Sequence, residues 1–247
     1  MTTDENLTRG DSPEEMVRFE IRNQVAWITI HNPEKGNAIS PAMRDRMASL
    51  LNGLNGRFEA RAVVITATGR KLFCPGADIS VGRETAPRPD GAPESAVGEA
   101  RRMMLDGQLK LMPAILDCEL PVIAAVNGVA AGAGLSFVAC TDLAIAADSA
   151  TFTSAYTKIG LSPDGSSTYY LPRIIGTRRT AELYLTNRVL NAQEALDWGL
   201  VNQVVPAAEL AGEVEKLANK LADGPTEALG AVKKLLLMSL NDSLESQ

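Results

Sequence analysis

The apolar positions of this chain repeat with two different spacings, and the changes between them outline the fold. Val17, Phe19 and Ile21 alternate with Arg18, Glu20 and Arg22, the period of a half-buried strand. Asn23-Gln24 supplies a tight turn, and Val25–Ile30 runs back as the hairpin partner. After a Pro-Gly-Asn segment (Asn32–Asn37), Ser40 reads as the cap of a helix with Pro41 at its first position. Met43, Met47, Leu50, Leu51 and Leu54 fall on one face of that helix. Ala62–Ala67, Val122–Val126 and Leu143–Ala147 are short apolar runs that predict buried strands, Thr151–Thr153 a short extended piece, and Val201–Val205 a last strand.

Helical spacing covers Glu99–Cys118, Gly132–Cys140, a stretch after Asp164, Thr177–Leu185 and Ala192–Trp198. It returns in two closing helices, Ala207–Ala222 and Thr226–Leu240. Strand, strand, helix thus recurs, and helices alone finish the chain: an α/β core with a helical C-terminal part. The predicted division is a disordered tail over 1–15, a core over 16–205 and a helical region over 206–247. The closing helices carry apolar faces (Val214, Leu217, Leu221; Leu229, Val232, Leu235, Leu236) that need cover, either from the core or from another subunit. Residues 83–97, rich in Pro, Glu, Gly and Ala, read as a mobile loop and not a linker, because the pattern resumes on both sides.

Composition narrows the function classes. The 247 residues suffice for one large domain, and 45% hydrophobic with 22% charged residues is ordinary for a soluble protein. A net charge of −6 argues against a nucleic-acid surface. Cys74, Cys118 and Cys140 form no CxxC pair, so neither a zinc site nor a disulfide framework is expected. The polar, acidic first fifteen residues lack the apolar core of a signal peptide, and no run is long enough to span a bilayer. A cytoplasmic protein with reduced thiols follows.

Two segments carry the candidate chemistry. Residues 74–79, Cys-Pro-Gly-Ala-Asp-Ile, and residues 127–134, Asn-Gly-Val-Ala-Ala-Gly-Ala-Gly, are turns of small residues between apolar runs and predicted helices. Each alone is an ordinary strand–helix connection. Together they are able to aim the backbone N–H groups of Ala77 and Ala133 at one carbonyl oxygen. A thioester that gains negative charge as an α-proton leaves needs such donors in place beforehand. Removing one donor of this kind costs roughly 3 kcal/mol of transition-state stabilisation. A helix N-terminus behind the second turn adds its positive end.

These motifs resemble those of the enoyl-CoA hydratase/isomerase (crotonase) superfamily. Lys71-Leu-Phe-Cys-Pro-Gly-Ala-Asp-Ile and the 127–134 segment carry the likeness, with Asn32-Pro-Glu-Lys-Gly-Asn-Ala-Ile, Cys140-Thr-Asp-Leu-Ala-Ile-Ala and Asp197-Trp-Gly-Leu-Val in matching order from about Val17 to Leu240. The resemblance implies an α/β, crotonase-like spiral of ββα units with a C-terminal helical trimerisation region, and a homotrimer or homohexamer. It implies an acyl-CoA substrate, with coenzyme A part of that substrate and no separate cofactor or metal. It puts the oxyanion donors at Ala77 and Ala133, where the second position usually holds glycine. It puts Lys35, Gly36, Ala77, Asp78, Ile79, Ser80 and Ala133 along the CoA ester.

Where hydratases of the family carry two glutamates, this chain has Ser136 and Tyr156, neither ionised near neutral pH. Asp164, in Gly160-Leu-Ser-Pro-Asp-Gly-Ser-Ser-Thr, matches the position of an acidic residue in isomerases of the family. One carboxylate suffices to move a double bond from the 3- to the 2-position. On sequence alone Pro-Asp-Gly-Ser is equally a turn and helix-cap signal. The expected activity is therefore isomerisation with Asp164 as proton shuttle. Its rivals are a hydratase with an atypical water-activating group, a non-catalytic acyl-CoA-binding subunit and, more distantly, a dehalogenase-like enzyme with an Asp nucleophile. His31 reads as a strand-end residue, Lys233-Lys234 as a solvated pair or a phosphate contact, and Tyr169 and Tyr170 as core or acyl-pocket residues.

Overall fold

A computed structural model describes residues 12–78, Gly91 and 108–246. Ser12 caps a single helical turn, α1 (Pro13–Met16), by accepting from the Glu15 N–H. Ordered structure thus reaches into residues 13–15, which the sequence reading assigns to a disordered tail; a cap and a proline at the first position suffice to set one turn. β1 (Val17–Arg22) and β2 (Val25–Ile30) form the predicted hairpin, with Arg22 opposite Val25. Asn23 and Gln24 both take positive φ, as a two-residue hairpin turn requires. After a 3-10 turn (Pro33–Lys35), Ser40 accepts from Met43 N–H and opens α2 (Pro41–Leu54), which buries Met43, Met47, Leu51 and Leu54.

Two sheets follow. The larger orders its strands β1-β2-β3-β5-β7-β10, with β3 (Ala62–Ala67), β5 (Val122–Val126), β7 (Leu143–Ala147) and β10 (Gln203–Val205) all parallel to β2. The smaller orders β4 (Leu72–Cys74), β6 (Val129–Ala131), β8 (Thr151–Thr153) and β9 (Leu190–Asn191), the last antiparallel. Each repeat supplies one strand to each sheet: β3 then β4, β5 then β6, β7 then β8. The sequence reading finds the large sheet almost residue for residue. In the small sheet it recognises only β8, because two- and three-residue strands leave too little period to read.

The helices of the repeats are α3 (Gln108–Leu116), α4 (Ala133–Cys140) and α5 (Ser167–Ile174), with α6 (Thr177–Thr186) and α7 (Ala192–Asp197) beyond. The expected helix from Glu99 falls outside the described residues until Gln108, as does most of the 83–97 loop. Both faces of the large sheet are covered, which explains five buried positions out of five in β5. Val63, Ile65, Ala124 and Val126 face the main core. Trp27, Val64, Ile123 and Ile145 face α8 (Leu210–Ala222), which buries Leu210, Val214, Ala218 and Ala222 on them. The first closing helix therefore folds back onto the core. The second, α9 (Thr226–Ser239), fully buries none of its residues and leaves Val232, Leu235 and Leu236 exposed.

One ion pair ties α9 down. Lys233 Nζ lies 2.9 Å from Asp142 Oδ2 and also donates to the Ile115 carbonyl at 2.9 Å, with its side chain 8% exposed. Burial pushes the Asp142 carboxyl up, against the Lys233 ammonium and the Val122 N–H, which pull it down. Lys233 is thus a buried anchor and neither a solvated residue nor a phosphate contact, whereas Lys234 is exposed. Lys233→Ala is expected to destabilise the fold by about 1–2 kcal/mol, because it removes the buried ammonium that ties α9 to the Ile115 carbonyl and to the partly exposed Asp142 carboxylate. Lys234→Ala should stay within about 0.5 kcal/mol of the parent in the same denaturant titrations.

Candidate active site

Parallel strands that neighbour each other end at the same edge, and this brings the two glycine turns together. β4 pairs with β6, Cys74 opposite Ala130, so Pro75-Gly76-Ala77 and Gly132-Ala133 leave the small sheet side by side. Their backbones touch. A Cβ built on Gly76 would lie 3.6 Å from the Ala133 nitrogen, and one on Gly132 would lie 3.8 Å from the Gly76 Cα. Both glycines have positive φ, 120° and 52°. Behind them a Cβ on Gly134 would lie 2.0 Å from the Cys74 carbonyl oxygen, so α4 packs on β4 with no room for a side chain.

The first turn is also stapled from its other side. Ile39 N–H donates to the Gly76 carbonyl and Asp78 N–H to the Ile39 carbonyl, each at 2.9 Å. That parallel bridge turns the N–H of Ala77 away from Ile39. Among the described residues, neither the Ala77 nor the Ala133 N–H has a hydrogen-bond acceptor. Ala77 is exposed and Ala133 buried at the first position of α4.

The loop that carries Lys35 and Gly36 reaches the same turn through Ile39. Asn37 holds it: its side-chain amide donates to the Thr68 and Leu72 carbonyls at 3.0 and 2.8 Å, and its oxygen accepts from Asn32 N–H. Sequence reasoning passes over Asn37; its signal is an Asn directly after Gly, here at φ 65°. Of the other predicted contact residues, Asp78 follows Ala77 directly, and Ile79 and Ser80 lie outside the described residues.

The third repeat supplies side chains at this edge. β8 runs parallel to β6 and leads through Ser154 and Ala155 into a 3-10 turn, Tyr156–Ile159. The Tyr156 hydroxyl donates to Asp164 Oδ1 at 2.5 Å. Ser136, wholly buried one turn into α4, directs its hydroxyl to the Asp164 carbonyl oxygen at 3.3 Å. The three positions that the resemblance singles out thus converge. Asp164 is not the cap of α5. The cap position is Ser166, which makes no side-chain cap bond, and the Asp164 carboxylate is engaged by tyrosine. Partial burial pushes the Asp164 carboxyl above the usual aspartate range, and the Tyr156 hydrogen bond pulls part of the way back. Burial and the neighbouring carboxylate together raise the Tyr156 phenol.

A family model described as enoyl-CoA hydratase/isomerase matches residues 20–247 of the chain. The protein belongs to the enoyl-CoA hydratase/isomerase (crotonase) superfamily. It is 39% identical to a probable enoyl-CoA hydratase of Rhodobacter capsulatus, over 94% of this chain and 84% of that one. It is 35% identical to a 4-chlorobenzoyl coenzyme A dehalogenase of Arthrobacter, over 93% and 80%, and 33% identical to the 1,2-epoxyphenylacetyl-CoA isomerase of Escherichia coli, over 94% and 86%. Among solved structures, a putative enoyl-CoA hydratase/isomerase from Mycobacterium abscessus superimposes with a TM-score of 0.83 at 32% identity, over 93% of this chain and 86% of that one.

The remaining candidates of this crotonase-family chain have structural roles. His31 Nδ1 sits 3.0 Å from Thr68 Oγ1 at the end of β2. Tyr169 hydrogen-bonds Asn241 and stacks under Arg173, while Tyr170 packs on the core. Cys74, Cys118 and Cys140 are buried and free, and burial pushes the Cys74 and Cys140 thiols up to about 12. A groove of about 620 Å³ between α2 and α3, lined by Asp45, Asn52, Lys110 and Asp117 among others, contains none of the site residues. Gly134→Ala tests the close approach of the turns. It should destabilise the protein by about 2 kcal/mol or more through overpacking. Gly212→Ala, in open space on α8, should be neutral or stabilising by up to about 1 kcal/mol in parallel thermal melts.

Proposed function

We propose that this crotonase-family acyl-CoA enzyme moves a double bond from the 3- to the 2-position of an enoyl-CoA. In this reading the ionised Asp164 removes the α-proton, and the Ala77 and Ala133 N–H groups hold the thioester oxygen of the dienolate. Asp164 then returns the proton at the γ-carbon. Lys35, Gly36 and the stretch from Ala77 to Ser80 line the CoA portion. The exposed apolar face of α9 supports a homotrimer or homohexamer.

The observation that carries the reading is the environment of one carboxylate. Asp164 is partly buried, engaged by a neutral tyrosine, and reached by the second repeat through Ser136, while the positions of the hydratase glutamates are occupied by Ser136 and Tyr156. A single base moves a proton between two carbons, whereas adding water calls for a second group to activate it. The names of the relatives span hydratase, dehalogenase and isomerase, so they support acyl-CoA chemistry without choosing the reaction.

Incubation with 3-hexenoyl-CoA should yield the conjugated 2-enoyl thioester. Asp164→Asn should lower that rate by about 10²- to 10⁴-fold with the fold intact. Full turnover by Asp164→Asn would remove Asp164 from the mechanism. The second reading, favoured by the 39% identical relative named as a probable hydratase, is hydration. It predicts a 3-hydroxyacyl product from 2-hexenoyl-CoA.

The pH dependence follows in sign from Asp164. The base works only when ionised, and burial raises its pKa. The rate should therefore fall as pH drops through a midpoint above the ordinary aspartate value of about 3.9. A pH profile of kcat from 4 to 8 measures that limb; a flat profile would contradict a carboxylate base.

A further inference from the structure

The pairing of Tyr156 with Asp164 has a geometry that neither residue reaches by default. Tyr156 enters its 3-10 turn from Ala155, a non-glycine residue at φ 57°. Asp164 is followed by Gly165 and Ser166, both at φ 61°. Non-glycine residues in the left-handed region are unfavourable locally and persist where the surroundings over-determine them. Left-handed non-glycine residues, Ala155 and Ser166, thus lie close in sequence to both partners of this one side-chain contact.

The seat under Asp164 is equally tight. A Cβ added to Gly165 would lie 2.9 Å from both Cβ and Oγ of Ser136 and 3.2 Å from Met112 Cε. Ser136 is wholly buried and its hydroxyl meets the Asp164 carbonyl. Ser136 and the Gly165 backbone are thus in close contact, and a side chain at 165 would displace one of them. Among the described residues Asp164 has no ion-pair partner. The titratable groups that face it are Tyr156 from the 3-10 turn and Tyr184 from α6, with the Cys140 thiol of α4 beside Gly165. All three are neutral near neutral pH. The buried Tyr184 hydroxyl makes no hydrogen bond to Asp164, so it does not share that carboxylate with Tyr156.

From these contacts we infer that Tyr156 is a positioning residue. Its hydroxyl fixes the Asp164 carboxylate in one orientation and stabilises its charged form, and the small Ser136 is the seat that lets the Asp164 turn reach it. The 2.5 Å separation is that of a hydroxyl donating to an ionised carboxylate. On this account the serine and tyrosine that stand in for a pair of glutamates are the support of a different base. The inference rests on the reading of Asp164 as the proton shuttle.

The direct measurement is a ¹³C NMR titration of carboxyl-labelled aspartate in the full-length protein, with the Asp164 signal assigned by its absence in Asp164→Asn. It needs no substrate. Tyr156→Phe removes only the donor, so the Asp164 midpoint should rise by about one pH unit or more. Replacing Tyr156 with 3-fluorotyrosine keeps the shape and strengthens the donor, so the midpoint should fall; this arm stands even where Tyr156→Phe does not fold. With 3-hexenoyl-CoA, the acid limb of kcat should move up in Tyr156→Phe with KM changed less than threefold.

Midpoints that coincide in parent, Phe and fluorotyrosine proteins would overturn the inference. If Asp164→Asn is inactive and the midpoints coincide, only the role of Tyr156 fails. If Asp164→Asn turns over normally, the catalytic reading fails, whatever the titration shows.

Discussion

The contact between two stretches of bare backbone, Pro75-Gly76-Ala77 and Gly132-Ala133-Gly134, is the constraint on which the site depends. Parallel pairing of β4 with β6 brings the turns to the same edge, but pairing alone does not bring main chain against main chain. The missing side chains do that: positions 76 and 132 face the opposite turn, and position 134 lies against the Cys74 carbonyl. Among the described residues the Ala77 and Ala133 amides have no internal acceptor, one in an isolated bridge and one at the start of α4. Unpaired donors beside a helix N-terminus form a region where negative charge is stabilised.

Around this contact the fold acts as a positioning device built from three repeats. The first contributes Ala77, the second Ala133 and Ser136, and the third Tyr156 and Asp164. No single element contains the candidate site, and the register of the small sheet brings its parts together. The large sheet supplies rigidity. Its strands are covered on one face by the main core and on the other by α8, so the two glycine turns are backed by tightly packed apolar layers. Asp142 and Lys233 extend the support to the C-terminal helix, where burial of the pair trades desolvation against close contact.

The electrostatics at Asp164 show the same economy. Burial disfavours the charged carboxylate, and the Tyr156 hydroxyl opposes it through one short bond. The two effects act in opposite directions on one carboxylate, and burial is the larger. A full salt bridge at this place would instead pull the carboxyl pKa down.

Much of this was legible in the residues themselves. Alternation in Val17–Ile21, the apolar runs at 62–67, 122–126 and 143–147, and Ser40-Pro41 specify their elements locally, because period and caps are short-range properties. The two glycine turns and Asp164 were visible for the same reason: small residues and a carboxylate stand out in a linear reading. Tertiary structure alone decided the small sheet, whose strands are too short to show a period and exist only because their neighbours pair with them. It also decided that α8 covers the core, that Lys233 is buried, and that Asp164 turns to Tyr156 and not to a helix cap. Those outcomes depend on which groups meet across 8 to more than 100 residues of chain, and a contact of that kind is written in three-dimensional proximity, not in local spacing.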